Sequence, residues 1–240
     1  MVSKNILQSV VSKYYLGGLF SQVKWRIKDN TLTIYAGEQG RAAKVHLKNF
    51  QFEDCELGIF DTHKLAKLLS ITGGELLVTV EKSHKVYTKL HIADSNFDLN
   101  YSLADIFVIP KATYYQEIED PDVSINLEKE NIDALIKAKT ALSDQSNLLV
   151  KTTENLDGTP VCEFTFGDIE NFSNKVTYTL QGDIKSNDLE LPFNSDTLKD
   201  IFSNNKDMDN GKLKISADGM IQLNFYSEDI ETEYFLLRNE

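Results

Sequence analysis

The chain has 240 residues, enough for one large or two small domains, and its hydrophobic share of 41% is ordinary for a globular protein. Its formal net charge of −12 argues against a general affinity for nucleic acids or anionic membranes. No apolar run approaches the ~20 residues of a membrane span, and residues 1–20 lack the apolar core and cleavage site of a secretion signal.

The first part of the chain predicts a helix followed by a three-stranded meander. An apolar stripe at helical spacing favours a helix from Ser3 to Lys13, and Gly17 and Gly18 end it. Alternating apolar and polar residues then predict three strands with one solvated face, at residues 23–28, 31–36 and 42–47.

The same order of elements then recurs. A strand over residues 54–60 leads into a short helix, capped by Asp61 or Thr62, whose leucines face inward. Three more strands are predicted at residues 75–81, 85–92 and 96–101. Their alternation places Val86 and Phe97 among the side chains that are expected to face inward.

Between Phe107 and Asp122 the periodicity lapses, and residues 112–122 within this stretch are acidic, with prolines near both ends at Pro110 and Pro121. These features are typical of an inter-domain connector. The order strand, helix, strand, strand returns after it. The strands are predicted at residues 123–127, on either side of Asp157-Gly158, and at 175–180. The apolar stripe of the helix consists of Ile132, Leu135, Ile136 and Leu142.

A fourth unit completes the chain. A strand over residues 189–193 precedes a helix that is capped by Asn194 or Ser195, and three strands follow at residues 212–216, 221–226 and 230–237. The four helices begin at nearly equal intervals, near Ser3, Thr62, Glu128 and Ser195. We therefore predict an α+β fold of two similar domains, each with two helices on one face of antiparallel sheets. The expected bounds are residues 1–110, a connector at 111–122, and residues 123–240.

Residues in an arrangement typical of catalysis are hard to find. The four histidines are not at metal-ligand spacing, and there is no Cys-x-x-Cys, nucleophile elbow or phosphate loop. Asp207, Asp209 and Gly211 fit a turn better than a calcium loop, which needs further ligands. Cys55 and Cys162 lie in separate strands and are expected to be reduced thiols. We predict no enzyme, no cofactor and no metal, although the sequence leaves a paired-carboxylate site open.

The predicted helices are less acidic than the rest of the chain. The first two contain lysines and no acidic residue, the third has a slight excess of lysine, and the fourth is neutral. Lysine is a good helix former, so each lysine alone fits a solvated face. If the four helices share one surface, however, their lysines form a basic strip on an acidic protein. Such a strip suits phosphates that are contacted without reading of bases.

Several stretches resemble the DNA sliding clamps, most closely those of T-even-type bacteriophages. The strand at residues 52–61, which leads into Leu65–Leu69, is similar to the strand that precedes the second helix in this family. Residues 92–94 are similar to the family's turn before the last strand of the N-terminal domain. Residues 132–142 resemble the first helix of the family's C-terminal domain, with Lys137 at a basic position. Residues 175–183 resemble a strand of the family that ends in a Gly-Asp turn. Thr140 stands where a second basic residue is expected.

This resemblance implies a ring-shaped homotrimer whose helices line a hole that holds duplex DNA, with sheet edges paired between subunits. It implies that the phage DNA polymerase and an ATP-driven clamp loader are partners, and that the protein acts in the cytoplasm of the infected host cell. The lysines expected to face DNA are Lys4, Lys13, Lys64, Lys67, Lys137, Lys139, Lys199 and Lys206. The residues expected to form a cleft for a partner peptide are Phe107, Ile109, Tyr114, Tyr115 and Phe235.

Two other classes of protein remain open from the sequence. One is a non-catalytic acidic scaffold or DNA mimic, which would not encircle DNA and would be monomeric or dimeric. The other is an enzyme on a β-rich two-domain scaffold. The oligomeric state separates the clamp from the mimic.

Overall fold

The computed structural model describes residues 1–167 and 174–239. It divides the chain into two units, one formed by residues 1–114 and 228–232, the other by the described parts of 115–227 and 233–240. The division falls between Tyr114 and Tyr115, within the expected connector. The predicted domain bounds at residues 110 and 122 remain predictions.

The first unit contains two α-helices and eight strands within the described residues. The helices are α1 (Lys4–Tyr15) and α2 (Thr62–Ser70). The strands are β1 (Val2–Ser3), β2 (Val23–Lys28), β3 (Thr31–Glu38), β4 (Arg41–Leu47), β5 (Cys55–Ile59), β6 (Glu75–Ser83), β7 (Val86–Ala93) and β8 (Asp98–Ser102). They form two antiparallel arrays, in the orders β1-β6-β7-β8 and β5-β2-β3-β4.

The core of this unit lies where α1 packs on β3 and β4 and against α2. The buried side of α1 includes Leu7, Val10 and Tyr14, and Trp25 of β2 donates a hydrogen bond from Nε1 to the Tyr14 hydroxyl at 3.4 Å. Burying each large apolar side chain contributes about 1.5–3 kcal/mol relative to leaving it exposed. The cap of α2 is as predicted, since the Asp61 carboxylate accepts a bond from the Lys64 amide at 2.9 Å.

The second unit repeats this plan. Its helices in the described part of the chain are α3 (Lys129–Ala141) and α4 (Ser195–Asn205), which pack against each other. Its strands are β9 (Val123–Leu127), β10 (Asn147–Glu154), β11 (Pro160–Gly167), β12 (Lys175–Leu180), β13 (Asp183–Ile184), β14 (Glu190–Asn194), β15 (Asn210–Ser216), β16 (Met220–Tyr226) and β17 (Ile230–Leu237). Their orders are β12-β11-β10-β14 and β13-β9-β15-β16-β17.

The predicted α+β class with helices on antiparallel sheets is confirmed, and two details of side-chain direction are wrong. Val86 and Phe97 were expected to face inward, but they are 45% and 42% exposed. The register of β6 against β7 shifts between Glu81 and Lys82, so Val86 lies at the uncovered hairpin end. Phe97 belongs to a turn before β8, where the Asp94 carboxylate accepts a hydrogen bond from the Phe97 amide at 2.7 Å.

Lys13 and Lys139 were expected to face DNA, and both predictions are wrong because the two side chains are buried, with 0% and 2% of their surface exposed. The Lys139 ammonium donates to the carbonyl oxygens of Leu142, Ser143 and Gln145, at 3.3, 3.3 and 2.7 Å. It also lies 2.9 Å from the Asp196 carboxylate in the first turn of α4. We call this arrangement the Lys139 clasp. It joins the end of α3 to the beginning of α4.

Replacing Lys139 with Met is expected to lower the free energy of unfolding by about 2–3 kcal/mol, because the carbonyls and the carboxylate of the clasp lose a shared charged donor. Urea unfolding followed by circular dichroism measures the change. Lys137→Met is the matched control, since Lys137 is exposed on the same helix, and its effect should stay within ~0.5 kcal/mol. Equal losses in both variants would contradict the clasp.

Candidate nucleic-acid interface

The helices of the first unit present lysine without acid. Lys64 and Lys67 are exposed on α2, and Lys4 is partly exposed at the start of α1. Within residues 1–167 and 174–239, none of these three lysines forms an ion pair with a carboxylate. Neither helix contains Asp or Glu. Their positive charge is therefore free to act on an external anion.

The helices of the second unit carry mixed charge. Lys137 is exposed on α3, one turn after Asp133. Lys199 is partly buried on α4 beside Asp200. Burial raises the pKa of the Asp200 carboxyl above its usual value, while the neighbouring Lys199 opposes that shift. Lys206 is exposed just after α4. The positive electrostatic field of α3 and α4 is therefore weaker than that of α1 and α2 in the first unit.

Six of the eight predicted lysines thus lie at least partly exposed on the helices or at their ends, and two do not. The burial of Lys139 had a signal in the sequence, because it falls two turns after Ile132, on the apolar side of α3. Lys13 likewise follows Val10 by one turn on the buried side of α1. Whether the six accessible lysines contact DNA stays a prediction.

The predicted peptide cleft does not form as expected. Ile109 and Phe235 are buried, so neither can line an open cleft. Ile109 lies against β5, where a side chain at Gly58 would meet it, and Phe235 packs against the half-buried ring of Tyr115 at 6.0 Å between centroids. Phe107 and Tyr114 are the accessible members, with 89% and 52% of their surface exposed.

The first unit also contains a cleft of about 400 Å³ that was not predicted from the sequence. It lies between the outward side chains of β2 and β3 and the chain at residues 110–114, and it combines cations with two tyrosine rings. Its signal in the sequence was the pair of cations Lys24 and Arg26, which alternate with buried residues along β2.

The described residues offer no group of three or more His, Cys, Asp or Glu that could hold a metal ion. No helix in the described part of the chain is long and apolar enough to cross a membrane. Burial raises the pKa of the Cys162 thiol to about 12 and that of the half-buried Cys55 thiol to about 11. Both thiols are therefore protonated and poorly nucleophilic at neutral pH.

No protein-family model and no curated protein sequence matches the chain. Solved structures of proliferating cell nuclear antigen (PCNA) proteins match it over nearly their whole length. A structure of A. fulgidus PCNA, bound to the C-terminal region of FEN-1, has a TM-score of 0.77 at 14% identity and covers 100% of this chain and 97% of its own.

Two further structures agree with this one. Proliferating cellular nuclear antigen from Entamoeba histolytica has a TM-score of 0.75 at 14% identity, covering 99% of this chain and 96% of its own. PCNA from Thermococcus kodakaraensis has a TM-score of 0.73 at 15% identity, and the match covers 100% of this chain and 98% of the PCNA chain. The chain therefore has the PCNA-type clamp fold from end to end.

The raised thiol pKa values predict slow modification by Ellman's reagent at pH 8, because a pKa of about 11 leaves only about one Cys55 in a thousand as thiolate. Absorbance at the thionitrobenzoate band measures the reaction. The protein unfolded in guanidinium is the control, and it should release both thiols of each chain within minutes. Rapid modification of the native protein would contradict the burial of these groups.

Proposed function

We propose that this protein is a non-catalytic sliding clamp that encircles duplex DNA and tethers the replicative DNA polymerase for processive synthesis. The observation that carries the proposal is the end-to-end clamp fold together with Lys4, Lys64 and Lys67, which form no ion pair with a carboxylate among the described residues. A ring holds DNA topologically, so its contacts can be weak. Lysine contacts to phosphates are sequence-independent and screened by salt, and they permit sliding.

A homotrimeric ring is part of the proposal. Among the described strands, β8 and β12 each lie at one end of a four-stranded array, with a neighbour on one side. Exposed strand edges invite pairing with another chain. Pairing β8 of one copy with β12 of the next is a head-to-tail contact, and repetition of that contact closes a ring when the rotation fits. Three copies give six clamp units around the hole.

The proposed partners follow from the clamp function. They are duplex DNA, a phage DNA polymerase and an ATP-driven clamp loader, and the proposed location is the cytoplasm of an infected host cell. The A. fulgidus protein shows that a clamp of this fold binds a C-terminal region of another protein. For this chain, Phe107 and Tyr114 are the predicted cleft residues that remain accessible to such a segment. The proposed domains are residues 1–110 and 123–240, joined by a connector at 111–122.

A second candidate function is an acidic scaffold or DNA mimic, which the net charge of −12 favours. A mimic needs carboxylates arranged like phosphates on one face. The helices α1 and α2 have the opposite character, since they carry lysine and no carboxylate. The clamp is therefore the better-supported proposal.

Sedimentation equilibrium should give a mass near three times the 27.2 kDa of one chain. The reason is that a ring of this fold buries two strand edges per copy, one at β8 and one at β12. Measurement over a dilution series distinguishes a stable trimer from a concentration-dependent one. A mass of one or two chains at the highest concentration would count against the ring and favour the mimic.

Replacing Lys64, Lys67 and Lys137 together with Glu should shorten the products of processive synthesis on a primed template by about fivefold at moderate salt, because three phosphate contacts per chain become repulsive. Gel analysis of product length under single-encounter conditions measures this. The charge-matched control reverses the strand lysines Lys28, Lys44 and Lys212. Equal product lengths for wild type and the helix variant would refute the role of these lysines and leave the fold untouched.

A further inference from the structure

Strands β2, β3 and β4 have one face that is turned away from the core of the first unit. Trp25 and Ile27 of β2 are buried, and α1 packs on β3 and β4 from the core side. Since successive side chains of a strand point to opposite faces, the residues between the buried ones form a second row on each strand. These rows are in register, with Lys24 opposite Tyr35 and Tyr35 opposite Lys44. Basic residues of β2 and β4 therefore flank β3 on this face.

The central strand of this face presents a row of hydroxyl groups. Thr31, Thr33 and Tyr35 alternate with buried residues along β3, and each is partly exposed. The Thr33 hydroxyl lies 3.0 Å from Nδ1 of His46 on β4. Burial lowers the pKa of His46 in spite of a nearby carboxylate, so the ring is neutral at pH 7. Hydroxyls beside cations are groups that contact phosphate oxygens in nucleic-acid complexes.

Three lysines on this face lack a carboxylate partner. Lys24, Lys28 and Lys44 form no ion pair within residues 1–167 and 174–239. Arg26 is compensated, because its Nε lies 2.6 Å from the Glu56 carboxylate. On a chain of net charge −12, three uncompensated cations on one small face create a local attraction for anions. We call Lys24, Lys28 and Lys44, with the hydroxyls of Thr31, Thr33 and Tyr35 between them, the outer track.

One end of the outer track is bounded by a crossing of the chain. The Thr113 amide donates to the Gly37 carbonyl at 3.4 Å. A Cβ at Gly37 would lie 2.2 Å from the Thr113 carbonyl oxygen, so only glycine allows this close approach. The outer track therefore runs along β3 from this boundary towards Thr31, over the length of three outward side chains.

The outer track has no apolar anchor. None of the exposed large apolar side chains in the described part of the chain lies on β2, β3 or β4. The ring of Tyr35 is already engaged edge to face by Tyr114, with centroids 5.7 Å apart. Protein interfaces depend on buried anchors, and binding at a membrane surface needs apolar insertion. A narrow face of cations and hydroxyls favours a nucleic-acid backbone over either of these partners.

We propose that the outer track binds the sugar–phosphate backbone of single-stranded nucleic acid. Lys24 and Lys44 are separated by two strand spacings, about 10 Å, which admits one strand along β3. Its phosphates pair with the lysines and accept hydrogen bonds from the hydroxyls of β3. Contacts to the backbone carry no sequence information, and DNA and RNA share this chemistry. The site uses none of the helix lysines and needs no ring, so it goes beyond the proposed clamp function.

The test uses the full-length chain and a circular, fluorescein-labelled oligo(dT), because a closed circle cannot thread a closed ring. Fluorescence anisotropy measures binding. Wild-type affinity should fall about twentyfold between about 50 and 200 mM salt, since three contacts to a single strand give a log–log slope near −2. The variant Lys24→Gln/Lys28→Gln/Lys44→Gln should bind about tenfold more weakly at the lower salt and lose most of this slope.

Two control variants separate the outer track from overall charge and from the helices. Lys85→Gln/Lys129→Gln/Lys212→Gln removes the same charge elsewhere and should keep the affinity for the circle within about twofold. The helix variant with Glu at positions 64, 67 and 137 should also keep binding the circle, whatever its effect on processive synthesis. A circle of oligo(rU) should bind within about threefold of the DNA circle, and a larger preference would contradict recognition of the phosphates alone.

Three outcomes would overturn the proposal. One is the absence of saturable binding of the circle by wild type at low salt. The second is an equal loss in the outer-track variant and the charge-matched control. The third is equally tight binding of polyglutamate or of phosphatidylserine vesicles with the same dependence on the three lysines, which would assign the face to an acidic protein or a membrane. Circular dichroism of each variant checks that the fold is kept.

Discussion

Each unit of this protein depends on burying one side of a helix pair against antiparallel strands. That burial fixes the rotation of every helix about its own axis, and so decides which polar side chains can reach solvent. In α1 the buried side includes Leu7, Val10 and Tyr14, and it also takes in Lys13. In α3 it includes Ile132 and Leu135, and it takes in Lys139. The lysines that remain outside are the ones available to an anion.

The two units share a buried lysine near the end of their first helix, Lys13 in α1 and Lys139 in α3. Both occupy the last turns of the first helix of a unit. At Lys139 the ammonium replaces water with three carbonyl oxygens and one carboxylate, which is the condition under which a buried charge is tolerated. In the sequence Lys139 looks like part of a basic surface. In the structure it connects the end of α3 to the beginning of α4, and its burial makes it unavailable to DNA.

The remaining charge is unevenly divided between the units. Helices α1 and α2 present Lys4, Lys64 and Lys67 and contain no carboxylate, while α4 carries Asp196 and Asp200 together with Lys199. Under the proposal that the protein slides on DNA, weak and uneven contact is sufficient, because topological closure would retain the duplex. Under the same proposal, the acidic body opposes contact elsewhere and the lysines of the helices guide the phosphates.

The sequence by itself determined the class, the four helices and all but the two-residue strands β1 and β13, because hydrophobic periodicity and capping residues are local properties. The strands Lys175–Leu180 and Ile230–Leu237 and the cap at Asp61 follow from such patterns. Only the tertiary structure decided how completely Lys13 and Lys139 are buried, the exposure of Val86, and the burial of Ile109 and Phe235. It also brought Lys24, Lys111 and Tyr114 together. These outcomes depend on register, on helix rotation and on which backbone crosses Gly37, and they arise from contacts between residues distant in sequence.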